Sequence, residues 1–323
     1  MQQRRADFGV ELICQTLGVS ASAFYARAAG GRSAREVEDE RLLALIRTVH
    51  KENYEAYGYR RMWKELRRRG ERVPRCQVQR LMADNGIQGA KRRGRPWRTT
   101  TPDPDAGRLP DLVGRDFTAS EPGELVVADF TYVRCWEGLV FFAFVLDVFS
   151  RMIVGWQLAS HMRAELVVDA LQMALGTRNR FGHVELVHHS DRGSQYTSAD
   201  LHAVMAAGGV LASVGTTGDC FDNAMAESLV DTYKTELIAD RTWKTATEVE
   251  LSTVGWVGWY NNTRFHGELG DIPPAEYERD ALTAAVGGGP AGRAGGTSHG
   301  SPYGLAVLDP AAPTSTLLTI QSK

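Results

Sequence analysis

The chain has 323 residues, of which 43% are hydrophobic, so it is long enough to form two domains with a substantial buried core. It contains no apolar run of about eighteen residues and no signal-like start, which argues against membrane insertion and predicts a cytoplasmic protein. Its four cysteines form no C-x-x-C pair, so neither a disulfide framework nor a zinc site is indicated.

The net charge of -2 conceals a division along the chain. Residues 1–115 carry 24 Lys and Arg against 14 Asp and Glu, whereas the remainder carries 13 against 25. Such asymmetry is a hint of contact with nucleic-acid phosphates, and a solvated helix face is the alternative interpretation. The candidate DNA-binding side chains lie in the densest basic stretch: Arg60, Arg61, Arg67, Arg68, Arg69, Arg75, Arg80, Lys91, Arg92 and Arg93.

The first predicted elements are two short helices within residues 9–28, broken at Gly18, with Ser20 capping the second helix. This spacing is compatible with a helix-turn-helix, and a plain helical hairpin fits it almost equally well. The predicted apolar seam between the two helices consists of Leu12, Ile13, Leu17, Val19 and Phe24.

Three further helices are predicted over residues 38–50, 59–69 and 75–85. In the last of them Val78, Leu81 and Met82 face inward, which leaves a basic, amide-bearing surface suited to a DNA groove. We therefore divide this half of the chain into an N-terminal helical segment, residues 1–35, and a basic helical DNA-binding domain, residues 36–98. Thr, Pro, Asp and Gly then mark a linker over residues 99–118.

From residue 119 the pattern changes to strands rich in β-branched and aromatic residues. Strands at 124–133, 139–148 and 152–158 are followed by strands at 184–188 and 210–214, which alternate with helices at 164–175, 198–207 and 223–238. This order predicts a mixed α/β core, residues 119–284, in which helices cover a mixed sheet. Residues 285–323 are rich in Gly and Pro and are predicted to form a disordered tail.

Three acidic residues stand where an apolar element ends or is interrupted. Asp129 lies inside the predicted strand 124–133, and Asp191 follows the predicted strand 184–188. Glu227 lies on a predicted helix. Taken singly, such an acid is more often a turn former or a helix cap than a site residue. Their common spacing, with 61 residues between the aspartates and 35 from Asp191 to Glu227, makes a joint site the better hypothesis.

The flanking motifs resemble the DDE transposases of insertion sequences, specifically the catalytic subunit (the OrfB product) of the IS-three family, which shares the retroviral integrase core. The resemblance covers nearly everything up to about residue 280. Its motifs are Y-G-Y-R-R at 57–61, R-L-M at 80–82, D-F-T-Y at 129–132, D-V-F-S-R at 147–151, I-V-G-W at 153–156, H-S-D-R-G-S-Q-Y at 189–196, D-N-A at 222–224, E-S at 227–228 and W-Y-N at 259–261.

The resemblance implies a ribonuclease-H-like fold and a metal-dependent transposase. It places the metal-binding aspartates on Asp129 and Asp191, the glutamate on Glu227 and a following basic residue on Lys234. Three carboxylates suit two Mg²⁺ or Mn²⁺ ions, since small hard cations prefer oxygen ligands. The implied partners are double-stranded DNA, as terminal inverted repeats and target, an upstream-frame helix-turn-helix protein and further copies of this chain.

Several neighbouring residues have two interpretations. Asp147 also ends a strand, but the family's metal pattern does not fall on it. His188 and His189 are predicted to pack the strand, with His189 supporting Asp191, rather than to bind metal or DNA. Asp222 and Asn223 are predicted to cap the helix of Glu227. Lys234 either holds a phosphate, which we favour, or pairs with Asp231.

Two departures from the family pattern are a missing Trp before Asp129 and the Gly/Pro tail. The alternative functions are a nuclease of the same fold, which would cut without joining, and an inactive transposase-derived DNA-binding protein. Such a binding protein would usually lack one metal-ligating acid, whereas here all three are present.

Overall fold

The computed structural model describes residues 9–91, 111–114, 116–178, 186–191, 193, 195–215 and 224–287. The predicted linker lies mostly outside these residues, and so does most of the predicted tail. None of the helices in these ranges is both long and apolar enough to cross a membrane.

The first two helices are α1, Val10–Thr16, and α2, Ala21–Ala28. The Ser20 hydroxyl accepts a hydrogen bond from the Ala23 N–H, so the predicted cap is confirmed. The predicted apolar seam is wrong, because Leu12, Leu17 and Val19 are largely exposed. Two short helices cannot enclose five apolar side chains between them, and the buried residues of α1 are instead Val10 and Cys14.

The next three helices are α3, Ala34–Glu52, α4, Tyr59–Arg68, and α5, Arg75–Asp84. A capping box fixes the start of α3, where Ser33 and Glu36 each bond the backbone N–H of the other. The predicted inward residues of α5 are confirmed, since Val78, Leu81 and Met82 are buried against α3 and α4.

The core contains a five-stranded sheet: β1, Leu125–Cys135, β2, Gly138–Asp147, β3, Ile153–Ala159, β4, Val187–Ser190, and β5, Leu211–Val214. Their order in the sheet is β3-β2-β1-β4-β5. β1, β2 and β3 are antiparallel neighbours, whereas β4 runs parallel to both β1 and β5. The predicted mixed sheet is therefore confirmed.

Helices cover both faces of the sheet. α6, Ala164–Arg178, and α7, Ala199–Ala207, pack on one face. The other face receives α8, Ala224–Tyr233, which continues into a π-helix, Lys234–Ile238, and α9, Ala246–Asn262. A 3₁₀ turn, Gly267–Leu269, leads to α10, Pro274–Gly287, which extends beyond the predicted end of the core.

The basic helical region packs directly on the core through α9 and the residues that follow it. Trp259 donates its indole N–H to Asn53 Oδ1 at 3.1 Å. The Tyr57 hydroxyl donates to the Thr263 carbonyl at 3.2 Å and accepts from the Phe265 N–H at 3.1 Å. The basic helical region and the α/β core share one hydrophobic cluster. The change of composition along the chain therefore does not mark a boundary between two separate hydrophobic cores.

Candidate active site

Asp129 lies in the middle of the sheet, on β1 opposite Phe144 of β2. Only 5% of the residue is exposed, and Oδ1 accepts a hydrogen bond from the Phe130 N–H at 2.7 Å. Burial raises the pKa of this carboxyl well above its usual range, and the charges of Asp191 and Glu227 raise the pKa further. Both of the other sequence-predicted acids therefore act electrostatically on Asp129.

Asp191 is placed by the parallel pairing of β1 and β4. The last pair in the register is Val127 with His189, and Asp129 and Asp191 each lie two residues beyond it. Parallel strands keep this register, so the two aspartates leave neighbouring strands at the same level. The turn after β4 is tight, because Gly193 donates its N–H to Asp191 Oδ1 at 3.0 Å.

Glu227 lies in the first turn of α8, which packs along β1. The residue is largely exposed, and partial burial together with the charge of Asp231 raises the pKa of its carboxyl. The predicted helix-capping residues Asp222 and Asn223 lie outside the described residues, so their role stays a prediction.

Lys234 begins the π-helix, a feature that the sequence did not predict. Its Nζ lies 4.9 Å from the centre of the Tyr132 ring. Burial lowers the pKa of this ammonium group to about 8, while the charges of Asp231 and Asp129 oppose that shift. Both carboxylates therefore lie within electrostatic range of Lys234. The role of Lys234, whether it binds a phosphate or pairs with Asp231, stays a prediction.

Among the described residues, no three His, Cys, Asp or Glu side chains are already arranged as a metal-binding group. Their electrostatics nevertheless fit one. Asp129 is a buried carboxylate opposed by two further acids, and a divalent cation would remove that unfavourable interaction. The donor set is also suitable, since it consists of oxygen ligands alone.

The two histidines before Asp191 are both buried. His189 Nδ1 lies 2.9 Å from Ser213 Oγ on β5, and its ring packs edge-on against Phe117. Burial lowers the pKa of His188 to about 4, so this side chain is neutral at physiological pH. These contacts agree with strand packing, and the predicted support of Asp191 by His189 stays a prediction.

Asp147, on which the family's metal pattern does not fall, is fully buried and has many hydrogen-bond partners. Oδ1 accepts hydrogen bonds from the N–H and hydroxyl of Ser150, at 2.8 and 2.9 Å. Oδ2 accepts from the Gly123 N–H at 2.7 Å and lies 3.0 Å from Arg178 Nη2. Arg178 also binds Glu278 of α10, so Asp147 ties the end of β2 to α6 and α10. The sequence did not predict this network.

The predicted DNA-binding side chains fall into two groups. One group forms ion pairs with acids of the same chain: Arg61 with Glu236, Arg68 with Glu276, Arg69 with Glu65 and Glu52, and Arg80 with Asp39 and Asp84. The other group is exposed and has no ion-pair partner in the described part of the chain: Arg60, Arg67, Arg75 and Lys91. Arg92 and Arg93 lie outside the described residues.

Comparison with known proteins agrees with this architecture. Residues 37–95 match the model of an HTH-like domain, and residues 119–220 and 208–274 match models of an integrase core domain. The chain is 44% identical to the transposase for insertion sequence element IS629 of Shigella sonnei, over 89% of this chain and 97% of that protein. It is 30% identical to the transposase InsF for insertion sequence IS3A of Escherichia coli K12, over 87% and 98%. Among solved structures it is similar to the catalytic core domain of BIV integrase, with a TM-score of 0.35, 16% identity and coverage of 51% and 99%.

The fold and the family models define an enzyme with a ribonuclease-H-like integrase core, preceded by an HTH-like DNA-binding domain. The chain belongs to the IS-three family of insertion-sequence transposases. Its activity is that of a DDE transposase, a polynucleotidyl transferase that acts on DNA. The family's HTH-like model covers α3, α4 and α5, whereas α1 and α2 precede it.

Proposed function

We propose that Asp129, Asp191 and Glu227 form the catalytic site at which this transposase cleaves the ends of its insertion sequence and joins them to target DNA. The observation that carries the proposal is the environment of Asp129: burial in the sheet raises the pKa of its carboxyl, and the charges of Asp191 and Glu227 raise it further. Strongly perturbed carboxylates are a mark of functional sites.

The three side chains would supply oxygen ligands for Mg²⁺ or Mn²⁺. Two such ions would stabilise negative charge on the attacking and leaving oxygens of a phosphoryl transfer. Glu227 lies at the exposed start of α8, so its carboxylate would be on the side from which DNA approaches. Asp129, in contrast, is buried in the sheet. The chain itself needs no covalent nucleophile, since water and then a DNA 3′-hydroxyl attack the phosphodiester.

Lys234 would bind a phosphate of the element end beside the carboxylates. Its ammonium group is near Tyr132 and within electrostatic range of Asp129, so a bound phosphate would lie close to the reacting bond. The DNA substrates would be the terminal inverted repeats and the target duplex. An upstream-frame helix-turn-helix protein and further copies of the chain would complete the assembly on DNA.

The test uses full-length protein, alone and fused to the upstream frame, with labelled terminal-repeat DNA and Mn²⁺. Asp191→Asn and Glu227→Gln should each abolish cleavage and joining while DNA binding is retained. The matched control is Glu250→Gln, an exposed acid on α9, which should leave both steps unchanged. Cleavage without joining would favour the nuclease, and joining that persists in excess EDTA would refute the metal mechanism.

A further inference from the structure

The Tyr196 hydroxyl is a buried polar group that lacks a hydrogen-bond partner. Only 2% of the residue is exposed, and no described residue accepts from or donates to its oxygen. Leaving a buried hydroxyl unpaired costs about 1–3 kcal/mol, and native proteins rarely do so without a functional reason.

The position of this side chain points to that reason. Tyr196 lies in the turn that follows Asp191, where its N–H donates to the Gly193 carbonyl at 2.9 Å. A β-carbon placed on Gly193 would lie 3.1 Å from Asp191 Oδ1 and 3.6 Å from Cδ2 of the Tyr196 ring, so both groups border one small space. The ring also packs against Phe130 of β1, with ring centres 6.2 Å apart.

The electrostatics agree with this placement. Burial raises the pKa of the Tyr196 hydroxyl well above its usual range, and the charges of Asp129 and Asp191 raise it further. The hydroxyl therefore keeps its proton, and it lies within electrostatic range of both aspartates.

We propose that Tyr196 is a positioning residue of the acidic site, whose hydroxyl donates to an oxygen atom around the divalent cation held by Asp129 and Asp191. This inference rests on the proposed function. In metal-free protein the hydroxyl lacks its acceptor, and metal binding supplies it. Hydrogen bonds of this outer kind orient metal ligands, and their loss typically weakens metal affinity or activity about 10- to 100-fold.

The test is Tyr196→Phe in the full chain, with Mn²⁺ as the probe. Free Mn²⁺ is measured by electron paramagnetic resonance, and the melting temperature is recorded across a Mn²⁺ titration. The half-saturating Mn²⁺ concentration should rise about tenfold or more. The metal-free melting temperature should stay unchanged or rise, because Phe removes an unpaired buried hydroxyl.

The matched control is Tyr233→Phe, since Tyr233 is equally buried but its hydroxyl already bonds Thr253 Oγ1 at 2.7 Å. This variant should melt at a lower temperature and bind Mn²⁺ like the parent. Parental Mn²⁺ binding by Tyr196→Phe would overturn the proposal. A lowered metal-free melting temperature would also overturn it, because the hydroxyl would then have a partner in the metal-free fold. A parent chain that binds no Mn²⁺ would instead refute the proposed function, and this inference with it.

Discussion

The two faces of α4 should contribute differently to DNA binding, although both are basic. Arg61, Lys64 and Arg68 recur at helical spacing and pair with acids of the core, Glu236, Asp271 and Glu276. On another face of the same helix, Arg60 and Arg67 are exposed, and Arg67 stacks 5.2 Å from the centre of the Trp63 ring. Arg75, at the start of α5, is also exposed.

The perturbation is the triple variant in which Arg60, Arg67 and Arg75 are replaced by Gln, which keeps side-chain length and removes charge. The slope of log affinity against log salt is negative, and each phosphate contact that is lost should make it less steep by about 0.9, so the triple variant should reduce the steepness by about 2.7. Anisotropy of a labelled terminal-repeat duplex across a series of KCl concentrations measures this slope. Discrimination between cognate and random DNA should change little, because phosphate contacts carry no sequence information.

The matched control replaces Arg61, Arg68 and Arg69 by Gln, which removes the same charge from the same region. These arginines already neutralise carboxylates, so the salt slope should stay near that of the parent. The control should instead lower the melting temperature, with each partly exposed ion pair contributing at most about 1 kcal/mol. If both triple variants made the salt dependence less steep by the same amount, the different roles assigned to the two faces of α4 would be refuted.

Two further predictions concern buried aspartates. The raised pKa of Asp129 means that the folded chain binds more protons than the unfolded chain, so the free energy of unfolding of metal-free protein should fall as pH rises from about 4 through the folded-state pKa. Asp129→Asn should remove this fall and melt higher than the parent at neutral pH, which thermal melting across pH would measure; a variant less stable than the parent would contradict it. Asp147→Asn should lose about 2–3 kcal/mol of stability, because its amide nitrogen would face a donor that now binds a carboxylate oxygen. The folded fraction of that variant should keep the parental Mn²⁺ dependence of strand transfer, and a variant that is inactive yet as stable as the parent would assign Asp147 to the catalytic site.

Most of the core could be predicted from the sequence because its strands carry a strong local pattern. β1 and β2 are long runs of β-branched and aromatic residues, and the helices after them have clear apolar spacing. α9 escaped prediction for a physical reason. It is packed between the sheet and the basic helical region, so its buried residues surround much of the helix and leave no single apolar stripe.

The candidate acidic residues could be proposed from the sequence, and their role stays a prediction. The spacing and motifs around Asp129, Asp191 and Glu227 are local signals, so they can be found without coordinates. The ion pairs of the basic region are not local, since Arg68 and Glu276 are about 200 residues apart in sequence. A sequence shows that α4 is basic, but it does not show which of its arginines the protein has already neutralised. The unpaired hydroxyl of Tyr196 is likewise visible only in three dimensions.

The contrast between Asp129 and Asp147 separates a site residue from a structural one by physical chemistry alone. Both aspartates are buried on adjacent strands of the same sheet. Asp147 has three hydrogen-bond donors and an arginine, which together compensate its loss of hydration. Asp129 accepts a hydrogen bond from the Phe130 N–H and faces two acids, so the fold disfavours its charged form. A buried carboxylate that its neighbours do not stabilise is expected where a bound cation or substrate stabilises it. Natural proteins give up stability mainly at functional sites. From this difference we infer that Asp129 belongs to the chemistry of the transposase and Asp147 to its architecture.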